Sequence, residues 1–277
     1  MSADLHLGRW QDALDAGPHR LPDASVRLIL TSPCYDNART YEGTNEPVDF
    51  SELARFFLRV LMPGGTCAMV LDAPMKGGAQ SVTPYRVICE WALLDGWAFR
   101  QFLVYGRAGV PGNTTGWFRR DHEPLLVFVR DGGEQVCEKK RIAQAARWRG
   151  SMTPRTKRRP DGSTMISGRT AVNSGLAHRG SIWDYGVISS NGDPSASTGH
   201  PATFAERFAL DAVQVWSNPG DLIVDPFAGS ATVGRACIDL GRHFAGAERV
   251  PKYHAIGMQR LAQTSLFGLA GAIGGAS

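Results

Sequence analysis

Hydrophobic and polar positions follow two different periods along most of this chain. Short apolar runs, typical of buried strands, occur at Ser25–Leu30, Thr66–Leu71, Ala98–Tyr105, Leu125–Arg130, Asp221–Asp225 and His243–Glu248. Between them, apolar residues recur at helical spacing in Phe50–Leu61, Tyr85–Leu94, Phe204–Trp216, Ala231–Leu240 and Pro251–Ala262. Pro63-Gly64-Gly65 separates the first helix from the strand that follows it. This alternation predicts an α/β fold with a mostly parallel central sheet and helices on both faces.

The periodicity disappears between Asp131 and Gly199, where Gly, Ser, Thr, Pro and Arg dominate. Such a stretch is typical of a small inserted domain or of a mobile segment. We therefore divide the chain into a first half (1–134), an insertion (135–199) and a second half with a tail (200–277).

Composition narrows the class of protein. In 277 residues, a hydrophobic fraction of 43% is enough for a large core, and no run reaches the ~18 apolar residues of a membrane span. The N-terminus lacks the basic-then-apolar profile of a secretory signal, which predicts a cytoplasmic protein that does not associate with membranes. The five cysteines form no C-x-x-C pair, so we expect neither a disulfide framework nor a metal site.

The net charge of +4 is unevenly distributed. Between Glu138 and Gly180 there are eleven Lys or Arg residues against two acids, Glu138 and Asp161. A basic stretch of this kind suits a polyanion such as nucleic acid, although a solvated loop that only maintains solubility has the same composition.

A strand, a turn and a helix start follow one another in Asp221-Leu-Ile-Val-Asp225-Pro226-Phe227-Ala228-Gly229-Ser230. In an open α/β sheet, ligands bind at the carboxyl ends of strands, and a glycine there allows close approach of the backbone. Ser230 would lie near a helix N-terminus, which suits a carboxylate group. The next strand ends in Glu248, at the position where an acid accepts hydrogen bonds from ribose hydroxyls.

The segment from Asp225 to Glu248, DPFAGSATVGRACIDLGRHFAGAE, resembles the DPF-x-GSGTT segment of amino-methylating DNA methyltransferases. It departs from that pattern at Ala231 and Val233, where glycine and a second threonine are usual. The resemblance implies S-adenosylmethionine as cofactor. It also implies that the cofactor lies against Asp225, Phe227, Gly229, Ser230 and Glu248.

A second segment, Thr31-Ser32-Pro33-Cys34-Tyr35, resembles the S-P-P-Y segment of the same family. In that family the first side chain and the next carbonyl accept hydrogen bonds from the exocyclic amine of a base, and the aromatic ring stacks on the flipped base. These groups suit the chemistry, because an attacking amine needs orientation and acceptors that withdraw its developing charge. Catalytic residues are therefore predicted at Ser32, Pro33, Cys34 and Tyr35.

The order of the two segments resembles the circularly permuted β arrangement of the family and implies a Rossmann-like methyltransferase fold with a small basic insertion. His122–Phe128 and the Gly199–Phe204 segment that contains His200 resemble other motifs of the family. Residues 5–14 correspond to a short strand with an adenine contact, for which Asp12 is the displaced candidate. Asp12 and His200 are thus further predicted cofactor residues.

Cys34 leaves the target atom open. Pro-Cys carries the nucleophile of cytosine-C5 methyltransferases, and Asp72 and Arg119-Arg120 could support that chemistry. The Glu-Asn-Val and Gln-Arg-Arg strings of those enzymes are absent, and Cys34 could equally be an inert buried residue. Serine at position 32 favours the N4 of cytosine, with adenine N6 and cytosine C5 as alternatives. Methylation of RNA or another amine, or a catalytically dead DNA-binding module, also fits the motifs.

The insertion occupies the place of the family's target-recognition region. Candidates for DNA contact are Arg147, Trp148, Arg149, Arg155, Lys157, Arg158 and Arg159. Near the C-terminus, Gln263, Leu266 and Phe267 resemble peptides that dock on bacterial sliding clamps, although the apolar pair could instead pack on the domain. The recognition sequence and the oligomeric state, monomer or homodimer, are not specified by the sequence.

Overall fold

The computed structural model describes residues 2–33, 47–107, 116–145, 155–167, 176–186 and 205–263. Within these ranges an eight-stranded sheet forms the centre of the molecule, and three two-stranded ribbons accompany it. Among the helices of these ranges, none is long and apolar enough to cross a membrane.

The strands are numbered in chain order. They are β1 (Ala3–Leu7), β2 (Val26–Thr31), β3 (Leu61–Val70), β4 (Met75–Lys76), β5 (Ala79–Gln80), β6 (Trp97–Gly106), β7 (His122–Arg130), β8 (Gln144–Ala145), β9 (Arg155–Arg158), β10 (Thr164–Ser167), β11 (Leu176–Ala177), β12 (Ile182–Asp184), β13 (Leu222–Asp225) and β14 (His243–Glu248). The α-helices are α1 (Phe50–Val60), α2 (Thr83–Ala92), α3 (Glu206–Trp216), α4 (Thr232–Leu240) and α5 (Pro251–Leu261). A π-helical turn spans Gln11–Asp15 and a 3₁₀ turn spans Lys139–Ile142.

The strand order of the large sheet is β1-β14-β13-β2-β3-β7-β6-β12. Only β7 runs antiparallel to its neighbours among these eight, which confirms the predicted mostly parallel α/β fold. From β2 the chain continues to β3 on one side, and from β13 it continues to β14 on the other. The carboxyl ends of β2 and β13 therefore flank the point where the strand order reverses, which is where open α/β sheets bind ligands.

Two hydrophobic clusters cover the two faces of the sheet. On one face, Phe57 of α1 and Trp91 of α2 are fully buried against β2, β3 and β7. On the other face, Phe208 of α3 and Val233 of α4 pack with Leu28 and Leu30 of β2. Because alternate residues of a strand point to opposite faces, consecutive apolar residues such as Leu28, Ile29 and Leu30 of β2 bury both sides.

Most predicted elements agree with the structure within three residues at each end, but β3 begins earlier than expected. Pro63-Gly64-Gly65 was predicted to precede this strand, and the structure instead includes it within β3. Gly64 has φ +76°, and a Cβ there would lie 2.3 Å from the carbonyl oxygen of Glu134. The glycine thus accommodates a neighbouring chain segment within the strand.

Described residues of the predicted insertion on both sides of residues 144–177 pack against the core. Ile142 is buried in the cluster beside α3, and the Gln135 amide donates to the hydroxyl of Thr66 at 3.1 Å. Farther along, β12 pairs with β6, and Trp183 stacks on Trp216 with ring centroids 5.4 Å apart. In the described ranges, the part with pairing of its own is limited to residues 144–177, where β8 pairs with β11 and β9 pairs with β10.

Candidate active site

The two segments selected from the sequence meet at the carboxyl end of the sheet. Thr31 ends β2, Asp225 ends β13, and the Thr31 hydroxyl donates to the Asp225 carboxylate at 2.6 Å. Both side chains are buried. Ser32 and Pro33 follow Thr31 directly, so they leave the sheet beside the turn that follows Asp225.

The turn from Pro226 to Ala231, called here the cofactor turn, is held against β14. The Ala228 amide donates to the Ala247 carbonyl at 2.9 Å, and the Gly229 amide donates to Oε2 of Glu248 at 2.8 Å. The other carboxylate oxygen of Glu248 accepts from the Val250 amide at 2.8 Å. A carboxylate offers about four acceptor positions, so Glu248 retains capacity for ribose hydroxyls.

Burial dominates the electrostatics of these acids. It raises the pKa of Asp225 to about 7, although the hydrogen bonds from Thr31 and the Phe227 amide act in the opposite direction. Burial also raises the pKa of Glu248, against the effect of its two backbone donors. Ionisation of Asp225 and Glu248 is therefore unfavourable in the free protein. A cationic ligand bound beside them would favour their ionised forms.

Helix α5 supports the cofactor turn from behind, through two residues that were not selected from the sequence. A Cβ at Gly257 would lie 2.6 Å from a methyl of Leu5 and 3.2 Å from Cβ of Ala231, so any side chain there requires Leu5 to shift and crowds the end of the cofactor turn. One turn later, Nη1 of Arg260 donates to the Ser230 carbonyl at 2.9 Å and to the Thr232 hydroxyl at 2.9 Å. Gly257 and Arg260 are three residues apart on α5, and this spacing, which places them on one face of a helix, was the sequence signal that could have indicated them.

The other predicted cofactor residues differ in their positions. Ser230 is buried and its hydroxyl lies 3.1 Å from Nη1 of Arg260, so we expect its backbone rather than its hydroxyl to face a ligand. Phe227 is partly exposed beside the turn. Asp12 is exposed in the π-helical turn, which follows the carboxyl end of β1. Gly8, at that end of β1, donates its amide to the Glu248 carbonyl at 2.9 Å.

Two ion pairs stand at the same end of the sheet. Arg120 pairs with Asp72, which also accepts from the Ala73 amide at 2.7 Å, and Arg107 pairs with Glu123. Asp72 was predicted as a possible acid for cytosine N3. In the structure its carboxylate pairs with the guanidinium of Arg120.

The basic residues of the insertion divide into structural and exposed groups. Arg141 donates to the Ser217 carbonyl at 2.7 Å, and Arg179 pairs with the buried Asp211 at 3.0 Å, so both stabilise the core. Lys157, Arg158 and Arg159 are exposed on or beside β9. No cluster of metal-binding side chains occurs in the parts of the chain that the structure describes.

Several predicted site residues fall outside the described ranges. They are Cys34, Tyr35, Arg147, Trp148, Arg149, His200, Leu266 and Phe267. Arg155 lies in β9, where only its backbone is described, and Gln263 follows α5.

Comparisons with known proteins identify the family of this chain. A family model described as DNA methylase, of the N6- and N4-methylating type, matches residues 26–259. A relative named DNA adenine methyltransferase YhdJ, from Escherichia coli, is 37% identical over 250 residues, which cover 87% of this chain and 78% of the relative. The orphan methyltransferase M.BamHII of Bacillus amyloliquefaciens is 26% identical over 243 residues, with 86% and 89% of the two chains covered.

Solved structures share the fold. The cytosine-N4-specific PvuII DNA methyltransferase superposes with a TM-score of 0.66 at 17% identity, covering 96% of this chain and 89% of its own. A DNA modification methylase from Thermus thermophilus, in complex with S-adenosyl-L-methionine, has a TM-score of 0.59 at 22% identity and covers 94% and 93%. The family match extends over both the β2 segment and the cofactor turn. The chain therefore belongs to the family of N6- and N4-methylating DNA methylases, and it is an S-adenosylmethionine-dependent DNA methyltransferase of that type.

Proposed function

We propose that this enzyme methylates the exocyclic N4 of a cytosine flipped out of duplex DNA. The observation that carries the proposal is the bond between Thr31 and Asp225, because it holds the Ser32-Pro33 segment beside the cofactor turn. A base gripped by the first segment would then lie next to a cofactor held by the second.

The residues of the two segments have distinct roles in this proposal. The Ser32 side chain and the Pro33 carbonyl accept hydrogen bonds from the target amine, which orients its lone pair and withdraws charge as the amine becomes cationic. Glu248 accepts from the cofactor ribose, and Gly229 lets the cofactor turn approach closely. The cofactor supplies an electrophilic methyl group on its sulfonium. Tyr35 provides a stacking surface for the flipped base.

The choice of base rests on Ser32, whose presence at the first position of the motif favours cytosine N4. Adenine N6 is the second candidate, since the relative with 37% identity is named as an adenine methyltransferase. Cytosine C5, with Cys34 as nucleophile, is a third outcome that the test below distinguishes.

DNA contact is assigned in this proposal to the exposed basic residues of the insertion. Lys157, Arg158 and Arg159 lie on or beside a two-stranded ribbon, and Asp161 is the only acid within residues 155–167, so these exposed side chains suit phosphate groups. Arg147, Trp148, Arg149 and Arg155 remain predicted contacts. The cytoplasmic location, the sliding-clamp contact and the oligomeric state also remain predictions.

The test incubates the purified enzyme and its Cys34→Ala variant with labelled S-adenosylmethionine and unmethylated DNA of mixed sequence. The modified nucleosides are then identified by mass spectrometry after digestion. We expect N4-methylcytosine from both proteins. N6-methyladenine from both would move the assignment to adenine, and 5-methylcytosine that disappears with Cys34 would overturn amine methylation. RNA in parallel reactions serves as the competing substrate.

A further inference from the structure

The segment between β6 and β7 emerges at the carboxyl end of the sheet, beside the candidate active site. Gly106 pairs with His122 where the two strands end and begin, and the Arg107 amide donates to the Asp121 carbonyl at 2.6 Å. These contacts bring residues 106–107 and residues 121–122 together at this end of the sheet.

Residues 116–121, which precede β7, are held near the catalytic segment by an ion pair. Arg120 pairs with Asp72, which stands two residues beyond the end of β3. Met69 of β3 lies opposite Thr31 of the neighbouring strand β2. Asp72 follows Met69 by three residues and Ser32 follows Thr31 by one, so both leave the sheet from neighbouring strands at the same end. The ion pair thus fixes the residues just before Arg120 close to the site.

Those residues expose an aromatic and a basic group. Phe118 is 97% exposed, although a phenylalanine normally buries most of its ring, and Arg119 is also exposed. Trp117, which precedes them, is 43% exposed. An apolar ring next to a cation, at the rim of a site for a polyanionic substrate, suits a surface made of stacked bases bordered by phosphates.

We propose that Phe118 is an unstacking wedge, which inserts into the duplex beside the target base while Arg119 contacts the adjacent phosphate. The inference rests on the proposed function, because only a base held outside the duplex requires its former neighbours to be separated. Apolar side chains inserted between base steps unstack them at an energetic cost that the new contacts offset. An exposed ring that is covered only in the DNA complex would account for its exposure in the free enzyme.

A wedge makes a specific kinetic prediction, because its contacts lower the free energy needed to open the duplex and are not needed when the target base is already unpaired. The recognition site is first mapped on mixed-sequence DNA. Short duplexes then carry the target base either paired or opposite an abasic position. For Phe118→Ala we expect kcat/KM on the paired duplex to fall by roughly 10- to 100-fold, and on the unpaired target by less than about threefold.

The matched control is Leu93→Ala. Leu93 is 86% exposed but follows the C-terminal end of α2, at the opposite end of the sheet. Phe118→Trp retains an aromatic ring and is expected to keep most of the activity on the paired duplex. Thermal unfolding and S-adenosylmethionine binding of all three variants should match those of the parent enzyme.

Each contrary outcome identifies what has failed. If Phe118→Ala equals Leu93→Ala on the paired duplex, or slows both duplexes equally, the wedge is rejected while the proposed function stands. A variant that changes only the sedimentation of the protein would make Phe118 a contact between copies and would also reject the wedge. If the parent enzyme methylates neither duplex, the proposed function falls and the wedge falls with it.

Discussion

The hydroxyl of Thr31 donates to the carboxylate of Asp225 across 2.6 Å, although the two residues are 194 positions apart in the chain. Thr31 is fully buried and Asp225 is 3% exposed, so water does not compete for this bond. Because β2 and β13 are neighbouring parallel strands, the bond joins the last residues of two strands at the point where the strand order reverses.

Thr31→Val tests this relationship with little change of shape. The substitution removes the donor and leaves a buried carboxylate oxygen with one partner fewer, which costs about 1–3 kcal/mol of unfolding free energy. We expect that loss in urea unfolding, together with weaker methyl transfer. Thr31→Ser keeps the hydroxyl and should retain most of both. Equal stability of the valine variant and the parent would show that the bond contributes nothing.

Asp225 should make stability depend on pH. Burial raises its pKa to about 7 from an ordinary value of 3.8. A raised folded-state pKa contributes stability that is fully present below about pH 4 and lost as the pH rises through 7. We therefore expect the unfolding free energy of the parent to fall relative to that of Asp225→Asn between pH 4 and 7. The exposed Asp131→Asn is the control, and parallel pH profiles for all three proteins would contradict the assignment.

Arg260 is expected to position the cofactor turn without touching the substrate. Its guanidinium bonds Ser230 and Thr232 through Nη1 and Glu206 through Nη2, the latter at 2.5 Å. Arg260→Met removes one hydrogen-bond donor from each of Glu206, Ser230 and Thr232, and a hydrogen bond to a charged group contributes about 1.5–3 kcal/mol to the free energy of unfolding.

The informative readout for Arg260 is the affinity for S-adenosylmethionine by calorimetry. We expect at least about a tenfold loss for Arg260→Met, an increase in KM for the cofactor larger than the fall in kcat, and partial rescue by Arg260→Lys. Arg86→Met, at an exposed position of α2, is the control. An unchanged cofactor affinity despite a lower melting temperature would limit Arg260 to a purely structural role.

A side chain at Gly257 should destabilise the protein. A methyl there meets Leu5 at 2.6 Å and Ala231 at 3.2 Å, so the buried Leu5 side chain has to shift and Ala231 has to give by a few tenths of an ångström. Overpacking of this kind costs about 1–3 kcal/mol. Gly180→Ala is a matched substitution, since a Cβ at Gly180 meets nothing within 4 Å. Similar melting temperatures for the two variants would show that the approach of α5 is less close than described.

The exposed basic ribbon should control the salt dependence of DNA binding. Replacing Lys157, Arg158 and Arg159 together with glutamine is expected to weaken binding on all sequences and to reduce the slope of log K against log salt by up to about 0.9 per lost phosphate contact. The control replaces the exposed Arg55, Arg86 and Arg100 with glutamine, which changes the net charge equally. Identical slopes for both triple variants would assign the effect to net charge alone.

Local spacing was sufficient to predict most of the fold of the core. The periodicity of Phe50–Leu61 and Phe204–Trp216 located α1 and α3, because amphipathic helices must place apolar residues on one face. The apolar run at Ser25–Leu30 located β2 for the related reason that a strand buried on both faces is continuously hydrophobic. Prediction was poorer at Pro63-Gly64-Gly65, where contact with Glu134 keeps turn-forming residues inside β3.

The sequence by itself determined the two motifs, the acids at their strand ends and the α/β class, because each depends on residues close together in the chain. Only the tertiary structure decided that Thr31 contacts Asp225, that Gly257 and Arg260 support the cofactor turn, and that Ile142 and Trp183 belong to the core. These contacts depend on the order of the strands in the sheet. Local periodicity does not specify that order, since it records which face of an element is buried and not which neighbour buries it.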